Sequence, residues 1–239
     1  SLPYLSSKGN ENLLGIYFLN EKTGVWEYVG GKVNMKNKRI DVTLNHFSTY
    51  AVMEWTGSFA DVAPSHWVAS AVKVLSAKHI VSGKSEMEFS PRGVTTRVEF
   101  VTMITKLLGL KASNKESAFT DVNGGDASAS AVQAAYEANI ISGRSVGKFA
   151  PNESITREEM AIMLVRAYAF ATGKSVQSNY EFKDNMKISN WAKNEVAITV
   201  KLGIMSGVGN NMFNPKSKTT RAETAMAVYN LMNVMEAVE

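Results

Sequence analysis

Three stretches of this sequence carry one four-residue pattern, Thr-Arg-x-Glu, at residues 96–99, 156–159 and 220–223. Threonine and glutamate three apart make a capping box. The Thr hydroxyl accepts from the amide of the third helical residue, and the Glu carboxylate accepts from the Thr amide. That accounts for Thr and Glu but not for Arg97, Arg157 and Arg221. Each falls at the first helical position, where the helix dipole is positive and a cation is disfavoured. The same misplaced charge three times over points to a shared use. A helix N-terminus offers free amides to an anion, and a guanidinium adds a planar fork that matches a carboxylate or phosphate. Anion recognition is the expected chemistry, with a structural ion pair to a neighbouring repeat as the other reading.

Further candidates recur in fixed order around each copy. Phe-x-Asp brings Asp61, Asp121 and Asp184, each either a ligand contact or a cap on the loop or helix that follows. Trp67 and Trp191 come shortly after, as ligand contacts or as core, whereas Ala127 holds that place in the second copy. The turns Ser82-Gly83, Ser142-Gly143 and Ser206-Gly207 present backbone amides, and Lys84 and Arg144 follow two of them as supplements to an anion site, with Val208 in the third. A Phe-x-Pro step then leads into Thr-Arg-x-Glu.

The elements that must position these residues follow from spacing. Arg97, Arg157 and Arg221 lie 60 and 64 residues apart, a period that marks repeated supersecondary units. Each unit reads as loop, short helix, turn, short extended piece and longer helix. Apolar faces at helical spacing run through Phe100, Val101, Ile104, Leu107 and Leu108, through Met160, Met163, Leu164, Ala167 and Tyr168, and through Ala225, Val228, Tyr229 and Met232. His79, Asn139 and Gly203 are predicted left-handed stops for the short helices. Units of this size bury little core alone, and three together can bury a continuous one.

These residues resemble the S-layer homology (SLH) domain. The resemblance covers residues 59–239 and rests on Phe-x-Asp, the Ser-Gly turn, Phe-x-Pro and Thr-Arg-x-Glu in one order, three times, with the tryptophan in two of the three copies. It implies a mainly α fold, with three repeats in a pseudo-threefold spindle around a central bundle of second helices. It also implies the C-terminal anchoring region of a secreted Gram-positive surface protein, located at the cell wall or S-layer. The implied partner is a secondary cell-wall polymer ending in pyruvylated N-acetylmannosamine, held non-covalently in grooves between repeats. A pyruvate ketal carries the carboxylate that the arginines suit, an indole face can stack on a pyranose, and Asp can accept from hydroxyls. A groove that depends on the tryptophan missing at Ala127 is expected to be weaker or empty.

Residues 1–57 have strand chemistry and are expected to form a small antiparallel β region, the end of an upstream domain, whose apolar face needs an upstream partner. Residues 14–19 and 25–29 flank a hairpin loop closed by Gly24, Gly30-Gly31 makes another turn, residues 33–44 alternate around Lys36-Asn37-Lys38, and a last strand starts at Tyr50. The expected division is a β module at 1–57 and repeats at 58–118, 119–181 and 182–239.

The 239 residues are 45% hydrophobic and 20% charged, with net charge +4. The Lys and Arg are scattered, whereas a nucleic-acid binder, the other class left open, would cluster them on one face. The absence of cysteine excludes disulfides and thiolate metal sites, and no apolar run is long enough to span a membrane. No cofactor, nucleic acid or membrane partner is expected, and the chain is expected to be a monomer. His46, His66 and His79 are scattered, and the adjacent carboxylates Glu158 and Glu159 point about 100° apart on a helix, so no catalytic set is expected. Asp121, Asn123 and Asp126 do not match a calcium loop. The other reading is a wall-associated fragment of a surface glycoside hydrolase whose catalytic domain lies upstream.

Overall fold

A computed structural model describes residues 1–5, 10–44, 46–124 and 128–238. The chain divides into two compact units, Ser1–Phe89 and Ser90–Glu239.

In the first unit, β2 (Leu14–Asn20) and β3 (Val25–Gly30) form the expected hairpin, and β6 (Tyr50–Glu54) pairs on the other side of β2. β4 (Lys32–Asn34) and β5 (Arg39–Asp41) form a second sheet with β1 (Leu2–Pro3). The chain thus makes two three-stranded sheets where sequence suggested one. The reason lies at Gly30 and Gly31, with φ of 116° and 119°, a conformation that breaks the strand between β3 and β4. A Cβ at Gly31 would also sit 2.4 Å from Ile40 Cγ2. Leu14 and Ile16 of one sheet and Ile40 of the other form a buried cluster surrounded by Leu2, Val33 and Val52. The two sheets therefore pack this apolar face against each other. α1 (Ala69–Ala77) completes the unit by burying Ala71, Val72 and Leu75, and the His79 ring beyond its end stacks on Tyr28 at 4.1 Å.

The second unit holds α2 (Arg97–Leu107), α3 (Ala129–Glu137), α4 (Arg157–Thr172), α5 (Lys193–Lys201) and α6 (Arg221–Glu236). The longer helices begin where sequence places them. Thr96, Thr156 and Thr220 are N-caps, and all three capping boxes form. Phe100, Val101, Ile104, Met160, Leu164, Ala225 and Val228 are buried along the expected faces. The shorter helices have no side-chain cap and are held by their apolar stripe. The predicted left-handed stops occur at His79, Asn139 and Gly203, with φ of 54°, 56° and 70°. α6 packs against α2 and α4, α3 against α2, and α5 against α4.

A cyclic pattern of backbone hydrogen bonds ties the segments before the long helices together. Thr95 N donates to Thr219 O at 3.0 Å, Thr219 N to Ile155 O at 3.2 Å, and Ile155 N to Thr95 O at 3.1 Å. The three residues lie far apart in sequence, and Ile155, Thr95 and Thr219 are fully buried. Each buried amide has a partner, as burial requires.

Candidate functional site

The first amides of the long helices are already used. Arg97 N and Val98 N donate to Glu153 O and Pro151 O at 2.9 and 3.0 Å. Arg157 N and Glu158 N donate to Ser217 O and Pro215 O, and Arg221 N and Ala222 N to Gly93 O and Pro91 O. The capping threonines take the third amide. The helix N-termini are therefore not open anion sites, contrary to the expectation from local sequence. Carbonyls of another repeat fill them, because the Phe-x-Pro segments run across them.

The arginines reach across the same junctions. Arg97 Nε donates to Phe149 O at 2.9 Å, its two terminal nitrogens reach Glu159 at 3.2 Å and Ser142 O at 3.4 Å, and its guanidinium lies 4.7 Å from the Phe149 ring centroid. Arg157 repeats this on Phe213 O, Ser206 O and Glu223 at 2.9, 2.7 and 3.5 Å. Arg221 pairs with Glu99 at 3.7 Å. The cycle 97 to 159, 157 to 223 and 221 to 99 runs in the same sense as the helix-start amide bonds and opposite to the Thr95, Thr219 and Ile155 bonds. All three side chains are buried. Burial pushes Arg97 and Arg157 below their ordinary values, and Glu159 and Glu223 oppose it. Both remain charged, since arginine does not lose its proton in proteins.

The aspartates bind backbone. Asp61 accepts from Phe89 N at 2.8 Å. Asp121 accepts from Phe149 N and Ala150 N at 2.8 Å each, and Asp184 from Phe213 N and Asn214 N at 2.9 and 2.8 Å. The second amide in these pairs belongs to a residue at positive φ, Ala150 at 61° and Asn214 at 58°, so the carboxylate pins a strained turn. Burial pushes the Asp121 carboxyl up, but the Phe149 and Ala150 amides, its own amide and the Lys148 charge together hold it below its ordinary value. The motif phenylalanines pack in pairs, Phe59 on Phe89, Phe119 on Phe149 and Phe182 on Phe213, with centroids 5.2–5.5 Å apart. Asp126 and Ala127 lie outside the described residues.

The glycines of the Ser-Gly turns are required by clearance. A Cβ on Gly83, Gly143 or Gly207 would approach a loop carbonyl to 2.2, 2.6 or 2.7 Å. The loop after each turn folds back, as Lys84 N, Arg144 N and Val208 N donate to Glu88 O, Lys148 O and Met212 O.

Several of these residues converge on one hollow of about 330 Å³, lined by Arg97, Ser142, Gly143, Arg144, Glu159, Arg166 and Trp191 among others. Arg144 forks onto Glu159 through two bonds of 2.8 Å and reaches Ser154 O at 3.1 Å and the Glu153 carboxylate. Glu159 also accepts from Thr156 N and Oγ1. Burial alone would raise the Glu159 carboxyl, but Arg144, the Thr156 amide and the Arg97 charge together hold it below the ordinary range. Bonding to Glu159 raises Arg144 in turn. Arg97, Arg144 and Arg166 thus line the hollow with Glu159, while Glu153 pairs with Arg144 at its edge, so cations outnumber carboxylates three to two. Trp191 supplies an exposed indole, as Trp67 does in the first unit. The indole beside the second copy's Ser-Gly turn comes from the third copy, so Ala127 does not deprive this hollow of its aromatic wall.

Sequence reasoning missed Arg166 and Lys216 and gave Glu158 no role beyond a discounted carboxylate pair. Arg166 stands seven residues after Glu159, two turns along the same helix face, and that spacing is the signal. Glu158, at the variable position of the motif, is buried and accepts from Ser189 N and Oγ at 3.0 and 3.1 Å and from Lys216. The adjacent carboxylates of Glu158 and Glu159 thus serve different partners.

The S-layer homology domain model matches residues 58–101, 118–161 and 181–225. The chain belongs to the S-layer homology domain family. Domains of this family anchor their parent proteins to the cell wall. The chain is 42% identical over 230 residues to an amylopullulanase of Thermoanaerobacterium thermosulfurigenes, covering 95% of this chain and 12% of that protein. It is 40% identical over 183 residues to the exoglucanase XynX of Acetivibrio thermocellus, covering 76% and 17%. It is 33% identical over 172 residues to an S-layer protein of Bacillus thuringiensis subsp. finitimus, covering 72% and 21%. The chain therefore spans a minor part of the length of these relatives. Among the described residues, no helix is long and apolar enough to cross a membrane.

Proposed function

We propose that this chain is a non-covalent anchor that binds an anionic, pyruvylated secondary cell-wall polymer in grooves between SLH repeats. Its place is the cell surface, as in the S-layer proteins it is similar to. The supporting observation is the hollow at Arg144, where three guanidiniums gather around Glu159 and its neighbour Glu153 beside an exposed indole. In this reading Arg144 and Arg166 meet the ketal carboxylate and Trp191 stacks on the sugar ring. Arg97 adds charge from behind Glu159 while its fork joins the repeats. Arg157 and Arg221 are assigned the same double part at their own junctions. Ser206-Gly207, Asp121 and Asp184 complete or brace the other sites of the second unit, and Asp61, Trp67, Ser82-Gly83 and Lys84 are assigned to ligand contact in the first. The cyclic bonds through Thr95, Ile155 and Thr219 support a pseudo-threefold spindle of repeats at 58–118, 119–181 and 182–239, following a β module at 1–57. The anchor works as a monomer and carries no catalysis of its own.

Calorimetry with pyruvylated N-acetylmannosamine, and with the same sugar lacking the ketal, tests this. Binding is expected only with the ketal, and Arg144→Ala is expected to weaken it at least about tenfold, the loss of one charge-assisted pair. Equal affinity for both sugars would overturn the reading.

A second observation bears on the parent polypeptide. The amylopullulanase aligns over 95% of this chain, the S-layer protein over 72%, so the β module travels with the repeats in a glycoside hydrolase. That favours a surface hydrolase as the parent, with catalysis in another part of the polypeptide. An assay of the full-length gene product on α-glucans and xylan decides it, and inactivity on both would remove this reading.

A further inference from the structure

Trp191 borders two hollows, the one at Arg144 and a second of about 570 Å³ that Glu158, Lys216 and Glu153 also line. A small lock stands behind the indole. Both Glu158 oxygens are used, one by Ser189 N and the other by Ser189 Oγ and Lys216 Nζ. Lys216 Nζ also donates to Ser189 Oγ and lies 5.8 Å from the Trp191 ring centroid. Glu158 is 3% exposed, whereas Trp191 is 57% exposed. An exposed indole on a loop is otherwise free to change rotamer, and ordering it on binding would cost affinity. Val98 and Ala222 hold the same register in the other two motif copies, and neither can make such a lock.

We propose that Glu158 is a positioning residue that, by holding Ser189 and Lys216 together, fixes the Trp191 indole as the wall of the Arg144 groove and thereby sets the affinity of that groove. Lys216 lines the second hollow together with Trp191 and Arg144, and its charge 5.8 Å from the ring centroid attracts the indole and limits its rotamers. The proposal rests on the wall-polymer reading for its ligand, but the lock itself is readable without one.

The test uses the full chain labelled with 5-fluorotryptophan. Its four tryptophans give separate fluorine resonances, with Trp191 assigned by Trp191→Phe. Glu158→Gln keeps the shape but places an amide against Lys216. Lys216→Met removes the cation from the exposed end of the lock and serves if Glu158→Gln does not fold. The expected result is a Trp191 resonance that shifts and broadens in a folded variant while the other three stay in place. Affinity for purified wall polymer is expected to fall at least about fivefold, the factor one hydrogen bond is worth. A Trp191 resonance unchanged in a folded variant overturns the proposal, and so does a shifted resonance with polymer affinity at the wild-type value. Wild-type chain that binds no polymer, with a resonance that still responds to Glu158→Gln, overturns the wall-polymer reading and leaves the positioning role standing.

Discussion

At the residue scale, the buried arginines explain why a cation occupies a helix position that disfavours it. The Arg157 fork satisfies two carbonyls and lies over the Phe213 ring, which outweighs a dipole penalty of about 0.3–1 kcal/mol. Arg157→Ala leaves those carbonyls unpaired in the interior and is expected to destabilise the fold by about 2–4 kcal/mol in urea melts. Arg157→Lys is expected to recover little of this, because an ammonium cannot serve the planar set. Glu159 gives a pH signature. Its carboxyl is held below the ordinary glutamate range, so its contribution is fully present above the unfolded value near about pH 4.3 and is lost as pH falls through the folded value. Glu159→Gln is therefore expected to lower stability at pH 7 and to show a smaller further loss between pH 5 and 3, read by thermal melts across that window. The capping boxes were legible in the sequence because both partners lie within one turn. The arginine partners were not, since Arg97 and Glu159 are 62 residues apart and only the assembled repeats bring them together.

At the element scale, local periodicity carried most of the fold. The long helices, their left-handed stops and the first hairpin follow from apolar spacing, capping and turn residues. Strand pairing did not, because β1 meets β5 through Leu2 and Ile40 and nothing near Leu2 announces a partner so far along the chain. The open helix N-termini were misread for a similar reason, since segments remote in sequence supply the carbonyls. The Ser-Gly turns show a related limit. Serine and glycine signalled a turn, but the need for Gly143 comes from the carbonyls of Ser145 and Lys148 at 2.6 and 2.8 Å from a hypothetical Cβ. Gly143→Ala forces that loop to shift and is expected to cost about 1–3 kcal/mol, the range of overpacking strain. Because the loop carries Arg144, the same change is expected to weaken polymer binding by more than the melting shift accounts for, which calorimetry beside thermal melts would show.

At the scale of the whole molecule, the sequence period already implied repeats that share a core, and the cyclic bonds among Thr95, Ile155 and Thr219 give that sharing a physical form. The compact units divide at Phe89 and Ser90, inside the first stretch matched to the family, 58–101. A sequence period marks where a motif recurs, whereas compactness marks where the chain makes its contacts, and the two need not coincide. The hollow at Arg144 takes Arg97 from the first motif copy, its turn and Arg144 from the second and Trp191 from the third, so in the proposed reading anchoring needs the joined repeats. The most direct measurement of the central claim is sedimentation of the chain with purified cell-wall sacculi, before and after acid extraction of the secondary polymer. The account predicts binding to intact sacculi, loss of that binding after extraction, and competition by the released polymer. Undiminished binding to the extracted peptidoglycan would contradict it.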